Sequence, residues 1–135
     1  MGQDTYCDVG VFVQFDFDWS RLRQMIAGGI DQFYIYLRDY DDEAFNFSEE
    51  EELRDWISPR KNPSMDGVII HCFIPCVKSG VHNLSSRPHP LIFTYNGEDT
   101  VDSLIKNLQD ARDKFRSLGF SDESIMIGNN FMDCC

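Results

Sequence analysis

The sequence predicts a single domain of α+β or α/β class, a two-layer sandwich with a mixed five-stranded sheet. Segments that alternate apolar and polar residues are interleaved with segments of helical periodicity, in the order β-α-β-α-β-β-α-β. With 42% apolar residues among 135, the chain has enough material for one core, so we assign residues 1–135 to one domain. Because the central strand is apolar on both faces, a three-layer doubly wound sheet is the alternative architecture.

The first strand leads directly into the first helix. Residues 8–17 place valine or phenylalanine at every second position, which is the period of a strand. The carboxylate of Asp18 is well placed to cap a helix that follows it, and Gly28 with Gly29 ends that helix. The sequence therefore predicts a strand, a capped helix of a few turns and a glycine stop.

A second strand and a short second helix come next. Residues 32–38 again alternate apolar residues, which predicts a strand. Ser48 and Glu51 have the spacing of a capping box for a helix at about 49–57. Glutamates in the first turn of that helix suit the positive end of its dipole, so the glutamate run has a structural explanation as well as a functional one.

The second half of the chain predicts three more strands and the longest helix. Residues 67–74 are apolar on both faces and form the central strand, and residues 91–95 form another strand. Residues 98–118 repeat apolar side chains at spacings of three and four, so one stripe of this helix should pack on the sheet. Gly119 ends the helix, and residues 124–128 form the last strand.

Most of the net charge of −11 lies in one short segment. Residues 39–55 contain nine acidic residues and one arginine, a local charge of −8. An acidic chain lacks the basic footprint that binds nucleic acid directly. A local negative potential instead attracts a cationic partner and speeds its arrival. Aromatic residues within the segment are typical of anchored binding surfaces.

We therefore expect a non-catalytic module whose acidic segment binds a basic protein. Carboxylates would steer the partner, and aromatic side chains would anchor it. The expected partner is a toxin, such as a nuclease, or another nucleic-acid-binding protein, and the module is an inhibitor of the immunity or antitoxin type. The predicted binding residues are Asp39, Tyr40, Asp41, Asp42, Glu43, Phe45, Glu50, Asp55 and Trp56.

The alternative function is a small enzyme or ligand-binding protein that uses residues 71–90. This region contains all three histidines of the chain and has basic residues but no acidic residue. A positive loop on an acidic protein attracts a phosphate or carboxylate ligand. Its candidate residues are His71, Cys76, Lys78, His82, Arg87 and His89.

The cysteines and paired aspartates do not form a catalytic or metal motif. Cys72 and Cys76 are four residues apart in an extended segment, a separation of about 13 Å that is too long for two ligands of one zinc ion. Asp16 and Asp18 follow a strand end, but Asp18 already has a capping role. Glycine patterns that bind phosphates or dinucleotides are also missing, so we predict no metal, no cofactor and no catalytic residue.

The sequence also indicates a compartment. Its five cysteines are an odd number, and its first twenty residues carry acids and no basic residue. We therefore predict reduced thiols in a cytoplasmic protein without a secretory signal. The longest apolar run is shorter than the roughly 20 residues that a membrane span needs, so we expect no membrane partner. The sequence does not indicate an oligomeric state.

Overall fold

The structure, a computed structural model, describes residues 4–37, 40–58, 66–77 and 100–134. These residues form three α-helices and a five-stranded sheet, which confirms a mixed α+β class. The elements are β1 (Asp4–Asp16), α1 (Trp19–Ala27), β2 (Phe33–Leu37), β3 (Tyr40–Phe47), α2 (Glu50–Ile57), β4 (Val68–Pro75), α3 (Val101–Ser117), a short 3-10 helix (Asp122–Ser124) and β5 (Met126–Cys134).

The strands follow the order β3-β2-β4-β1-β5 across the sheet. β2 pairs antiparallel with both β3 and β4, and β5 pairs antiparallel with β1. β1 and β4 are antiparallel too, as shown by backbone hydrogen bonds at the two ends of this pair, from Phe17 N to Val68 O and from Cys76 N to Val9 O. The prediction of a mixed sheet is therefore wrong. It fails for a physical reason. The two strands that α1 connects, β1 and β2, are parallel but are not neighbours, because β4 lies between them and pairs antiparallel with each.

Strand β3 is the element that the sequence did not predict. It contains three acidic residues, which have low strand propensity, and the sequence interpretation treated this segment only as an acidic surface. A short connection after β2 nevertheless brings it into an antiparallel pair with that strand. Because β3 lies between β2 and α2, the predicted order of elements, which had no strand there, is wrong at that point. The strand predicted at 91–95 lies outside the described residues.

Residue contacts divide the chain into two compact units. Unit 1 comprises Met1–Phe12 and Ile74–Cys135, and unit 2 comprises Val13–Phe73. The assignment of residues 1–135 to a single domain stays a prediction, because contact density alone does not decide whether two units unfold together.

Unit 2 is held together by one buried face of its strands. Phe33 of β2 lies opposite Phe47 of β3 and Cys72 of β4, so these three side chains share a face. Helix α1 contacts the same face, since Sδ of Met25 lies 3.8 Å from Sγ of Cys72. The buried side chains of its strands and helices are Val13, Phe15, Leu22, Met25, Phe33, Ile35, Phe47, Leu53, Ile57, Val68, Ile70, Cys72 and Phe73. Of these, Phe73 lies on the face of β4 opposite to Cys72.

The ends of α1 lie where the sequence predicts them. Oδ1 of Asp18 accepts a hydrogen bond of 2.9 Å from the backbone N of Ser20, which satisfies an amide of the first turn. After the helix, Gly29 has a φ of 90°, a left-handed conformation that glycine adopts without strain. The predicted cap and the predicted glycine stop are both confirmed.

The other two helices begin differently from the prediction. α2 follows Glu49, whose side chain makes no capping bond, so the capping box predicted for Ser48 and Glu51 is wrong. α3 does have a capping box, formed by Thr100 and Ser103, and this box starts the helix at position 101 instead of 98. Within the described ranges, no helix combines the length and apolar character that a membrane span requires.

Unit 1 contains α3, the start of β1 and strand β5. Phe115 of α3 is fully buried, and its ring meets that of Phe120 edge to face, with centroids 5.9 Å apart. Nδ2 of Asn107 donates a hydrogen bond of 3.0 Å to the carbonyl oxygen of Cys76, which ties α3 to the segment after β4.

Strand β5 is longer than predicted and begins later. Residues Asp122–Ser124 form the 3-10 helix, and the strand then runs for nine residues along β1. A Cβ atom at Gly128 would lie 2.6 Å from Cδ1 and Cε1 of Phe12. The ring on the neighbouring strand therefore occupies the space that any larger residue would need.

Candidate functional site

The predicted acidic binding surface is formed by two consecutive elements of unit 2. Asp39 lies outside the described residues. The predicted residues Tyr40, Asp41, Asp42, Glu43 and Phe45 belong to β3, and Glu50, Asp55 and Trp56 belong to α2. The structure therefore brings a strand and a helix together, and the following geometry concerns Phe45 and the α2 residues.

The two aromatic anchors stack on each other. The rings of Phe45 and Trp56 are nearly parallel, with centroids 5.3 Å apart and an interplanar angle of 10°. Phe45 in turn stacks on Phe47 at 6.3 Å, and Phe47 stacks on Phe33 at 5.3 Å. This aromatic series runs from half-buried Trp56 into the core and holds α2 against β3. Trp56 and Phe45 are therefore structural contacts with a partly accessible surface.

Glu50 is bound by two arginines from different parts of unit 2. Its carboxylate accepts hydrogen bonds from Nε and Nη2 of Arg23, the shortest at 2.9 Å, and from Nε and Nη2 of Arg54 at 2.9 and 2.6 Å. The guanidinium of Arg54 also lies over the ring of Trp19, 4.0 Å from its centroid. Hydrogen bonds from both arginines lower the pKa of Glu50 to about 2. This carboxylate is therefore neutralised within the protein.

Glu50→Gln should weaken the fold slightly at neutral pH. The folded pKa of about 2 lies below the ordinary value of 4.5, so the arginine contacts stabilise fully above that value and are lost as pH falls through about 2. We expect Glu50→Gln to lower the Tm at pH 7 by a small amount, since the ion pairs are exposed. At a pH near 2, where Glu50 becomes protonated, the Tm of the variant should approach that of wild type.

Glu51→Gln is the matched control for that measurement, because it removes the same charge from the same turn at an exposed position. Thermal unfolding monitored by circular dichroism gives both Tm values. Equal Tm changes for the two variants would show that the arginine contacts of Glu50 add no stability.

The exposed carboxylates of α2 lie on the side away from its buried residues. Glu51 and Asp55 are one turn apart, and Glu52 is one turn before Trp56. All three acids are exposed, whereas Leu53 and Ile57 of the same helix are buried. We call Glu51, Glu52 and Asp55 the α2 acidic face. It borders the aromatic stack at Trp56.

A second group of side chains occupies the other face of the strands in unit 2. Tyr34 lies opposite His71, and Tyr36 lies opposite Ile69. Each of these residues is adjacent in its strand to a buried residue and therefore faces the other side of the sheet. The rings of Tyr36 and His71 have centroids 4.7 Å apart, and Tyr36 is 36% exposed. Partial burial lowers the pKa of His71 below its ordinary value and so favours the neutral imidazole. Alternation in β2 and β4 was the available signal for this aromatic surface, which the sequence interpretation did not assemble.

The cysteines that the structure describes with side chains are not poised for chemistry. Cys72 and Cys76 are both buried, and burial raises the pKa of each thiol. Sγ of Cys76 lies 3.5 Å from the carbonyl oxygens of Ile74 and Asn107. Such protonated, buried thiols do not favour Cys76 as a nucleophile in the alternative function.

Four of the remaining candidates for ligand or metal chemistry cannot be placed, and the others do not form a site. Lys78, His82, Arg87 and His89 lie outside the described residues. In the part of the chain that the structure describes, no three histidine, cysteine or acidic side chains cluster as metal ligands would. Asp18 is engaged as the cap of α1, and Asp16 is exposed at the end of β1.

No protein-family model matches this chain, and no curated protein or solved structure matches it either.

Proposed function

We propose that the chain is a non-catalytic, two-layer α+β module that binds and neutralises a basic protein. The observation that carries this proposal is the exposed α2 acidic face next to the aromatic stack. The partner would be a cationic toxin, such as a nuclease, or another nucleic-acid-binding protein, and the module would act as an inhibitor of the immunity or antitoxin type in the cytoplasm.

Electrostatics supports this choice of partner. Glu51, Glu52 and Asp55 are exposed on one short helix, and the acids of β3 immediately precede it in a chain with net charge −11. A surface of one sign raises the rate of encounter with a surface of the other sign and rejects like-charged molecules. A nucleic-acid-binding protein presents a cationic surface of the kind that this potential favours.

The aromatic stack supports an anchored complex over a diffuse one. Trp56 is half-buried by Phe45 on one side, so a partner that covers its remaining surface adds apolar contact without first ordering a flexible side chain. Glu52 lies one turn before Trp56, which places a charge beside this anchor. Charges at the rim and a ring at the centre are the usual arrangement of a binding surface.

The triple variant Glu51→Gln, Glu52→Gln, Asp55→Asn tests the proposal. Wild type and variant serve as baits for affinity capture from the native source, followed by mass spectrometry. We expect a basic protein that wild type retains and the variant loses. With that protein purified, the association rate of wild type should fall by about tenfold or more between low and high salt.

The matched control is Asp31→Asn, Asp102→Asn, Glu123→Gln, which changes the net charge equally at exposed positions outside α2. It should retain most of the association rate. If the control slows association as much as the α2 variant, the effect belongs to the overall charge and the proposed surface is wrong. A salt-independent rate would remove the electrostatic mechanism altogether.

A ligand-binding function that includes His71 is the second candidate. The contact between Tyr36 and His71 favours it, because two adjacent rings on a sheet face provide a surface on which a planar group can stack. A thermal-shift screen with nucleotides, sugar phosphates and Zn²⁺ tests this candidate. A ligand at a hundred times its Kd raises the Tm by several degrees, whereas no shift with any of them favours the protein partner.

A further inference from the structure

Large aliphatic side chains are exposed on two elements of unit 1. In the described part of the chain, Val101 and Ile105 of α3 are 74% and 47% exposed, and Met126 and Ile127 of β5 are 38% and 69% exposed. The sequence predicted that Val101 and Ile105 pack on the sheet, and for these two residues that prediction is wrong. Met126 and Ile127 are consecutive in β5 and therefore lie on opposite faces of the sheet, so we call Val101, Ile105 and Ile127 the α3–β5 surface.

A groove lies between the two elements that carry this surface. Its volume is about 230 Å³, and its lining residues are Val11, Leu108, Gln109, Arg112, Ile125, Met126 and Ile127. Ile127 lies opposite Val11 in the strand register, so both share the sheet face on which the groove opens. An apolar groove bordered by exposed aliphatic side chains is typical of a surface that another molecule covers.

The two edges of the described sheet differ in charge. β3 and β5 are the outermost strands, and each edge presents backbone groups on the side away from its neighbour. The eight residues of β3 include three acids, whereas the nine residues of β5 include Asp133 as their single charge. Two copies that met through β3 would bring like charges together, but two copies that met through β5 would not.

We propose that two copies of this chain associate through the β5 edge, with their β5 strands antiparallel about a two-fold axis. Antiparallel pairing of identical strands is self-complementary, which is what a two-fold interface requires. An axis perpendicular to the sheet leaves both α3 helices on one face of the joined sheet, so each copy covers the groove of the other. A second copy is therefore the occupant of the α3–β5 surface.

The size of the interface predicts a reversible dimer. Nine residues of β5 extend for about 30 Å, so the strand and the adjoining α3 give an interface near the low end of the range for specific complexes, about 1,200 Å² in total. We expect monomer and dimer to exchange over a measurable concentration range.

Salt should strengthen this association. Each copy carries a charge of −11, so the copies repel each other at long range, whereas the groove and β5 contribute only Arg112 and Asp133 as charged residues. Salt screens that repulsion. This response has the opposite sign to the one expected for the cationic partner of the α2 acidic face, so the two proposals succeed or fail independently.

Sedimentation velocity of the full chain over a range of concentrations tests the dimer. We expect the mass to rise from 15.7 kDa towards twice that value, at lower concentrations in about 500 mM salt than in about 50 mM. Ile127→Asp should weaken dimerisation by about tenfold or more, because the two-fold axis places two new charges in the interface. Hydrogen exchange should show that β5 amides, but not β3 amides, gain protection as concentration rises.

Asn46→Asp is the matched control, because it adds the same charge at an exposed position of the other edge strand. It should leave the dimer constant unchanged, and Ile105→Asp should weaken the dimer as Ile127→Asp does. The Tm of each variant verifies folding. A monomer at every concentration, a dimer that Asn46→Asp weakens as much as Ile127→Asp, or a dimer that salt weakens would overturn the proposal.

Discussion

Replacing Phe33 with alanine should lower the free energy of unfolding by about 3–5 kcal/mol, a large part of the stability of a domain this size. Phe33 is fully buried, and its ring stacks on Phe47 with centroids 5.3 Å apart. Alanine removes the transfer free energy of the ring and leaves a cavity between three strands that cannot close without distorting their pairing. Urea denaturation at equilibrium measures the change.

Tyr36→Ala is the matched control for Phe33→Ala. The two residues lie on the same strand and remove similar rings, but Tyr36 is on the opposite face and 36% exposed. We expect its loss to cost about 1 kcal/mol or less. Equal costs for the two variants would mean that both faces of β2 contribute equally to the core, and the assignment of one buried face would be wrong.

The elements that the sequence predicted are those whose signals are local. Asp18 caps α1 with its own side chain, and the period-two pattern of residues 8–17 needs no distant partner to be recognised. β3 could not be predicted in the same way, because pairing with β2 stabilises a segment in which the acids oppose strand formation. Phe45 and Phe47, two positions apart, were the one local indication of this strand.

The direction of the strands could not be predicted from sequence periodicity. Periodicity identifies a strand and its buried face, but it does not identify the neighbour with which the strand pairs. The sequence predicted a mixed sheet, whereas β4 lies between β1 and β2 and pairs antiparallel with both. The two apolar faces of residues 67–74 correctly predicted a central strand, but they do not identify which strands lie on either side of it.

The candidate site was predictable as a region and not as a set of interactions. The acidic segment is evident from composition, and α2 within it was predicted from the glutamates of its first turn together with a capping box that the structure does not have. The state of Glu50 depends on Arg23, 27 residues earlier in the chain, and the state of Trp56 depends on its stack with Phe45. Contacts between separate elements determined which acids remain exposed, and a residue-by-residue pattern does not contain them.

Phe115→Ala should also lower the free energy of unfolding by about 3–5 kcal/mol. Phe115 is the fully buried residue of α3, and it packs edge to face on Phe120 beyond the end of that helix. Leu108→Ala on the same helix is the comparison. Leu108 is half-buried and lines the open groove, so its removal should cost less than about 2 kcal/mol. Periodicity places Leu108 and Phe115 on the same apolar stripe and does not distinguish a buried position from one that lines a groove.

The Phe115→Ala variant also tests whether residues 1–135 form one domain. Phe115 belongs to unit 1, so a cooperative single domain should lose protection against hydrogen exchange equally in unit 1 and in the α1 and α2 amides of unit 2. Thermal unfolding should then show one transition at a lower temperature. If Phe115→Ala produces two transitions and leaves the α1 and α2 amides protected, the units unfold separately and the single-domain prediction is wrong.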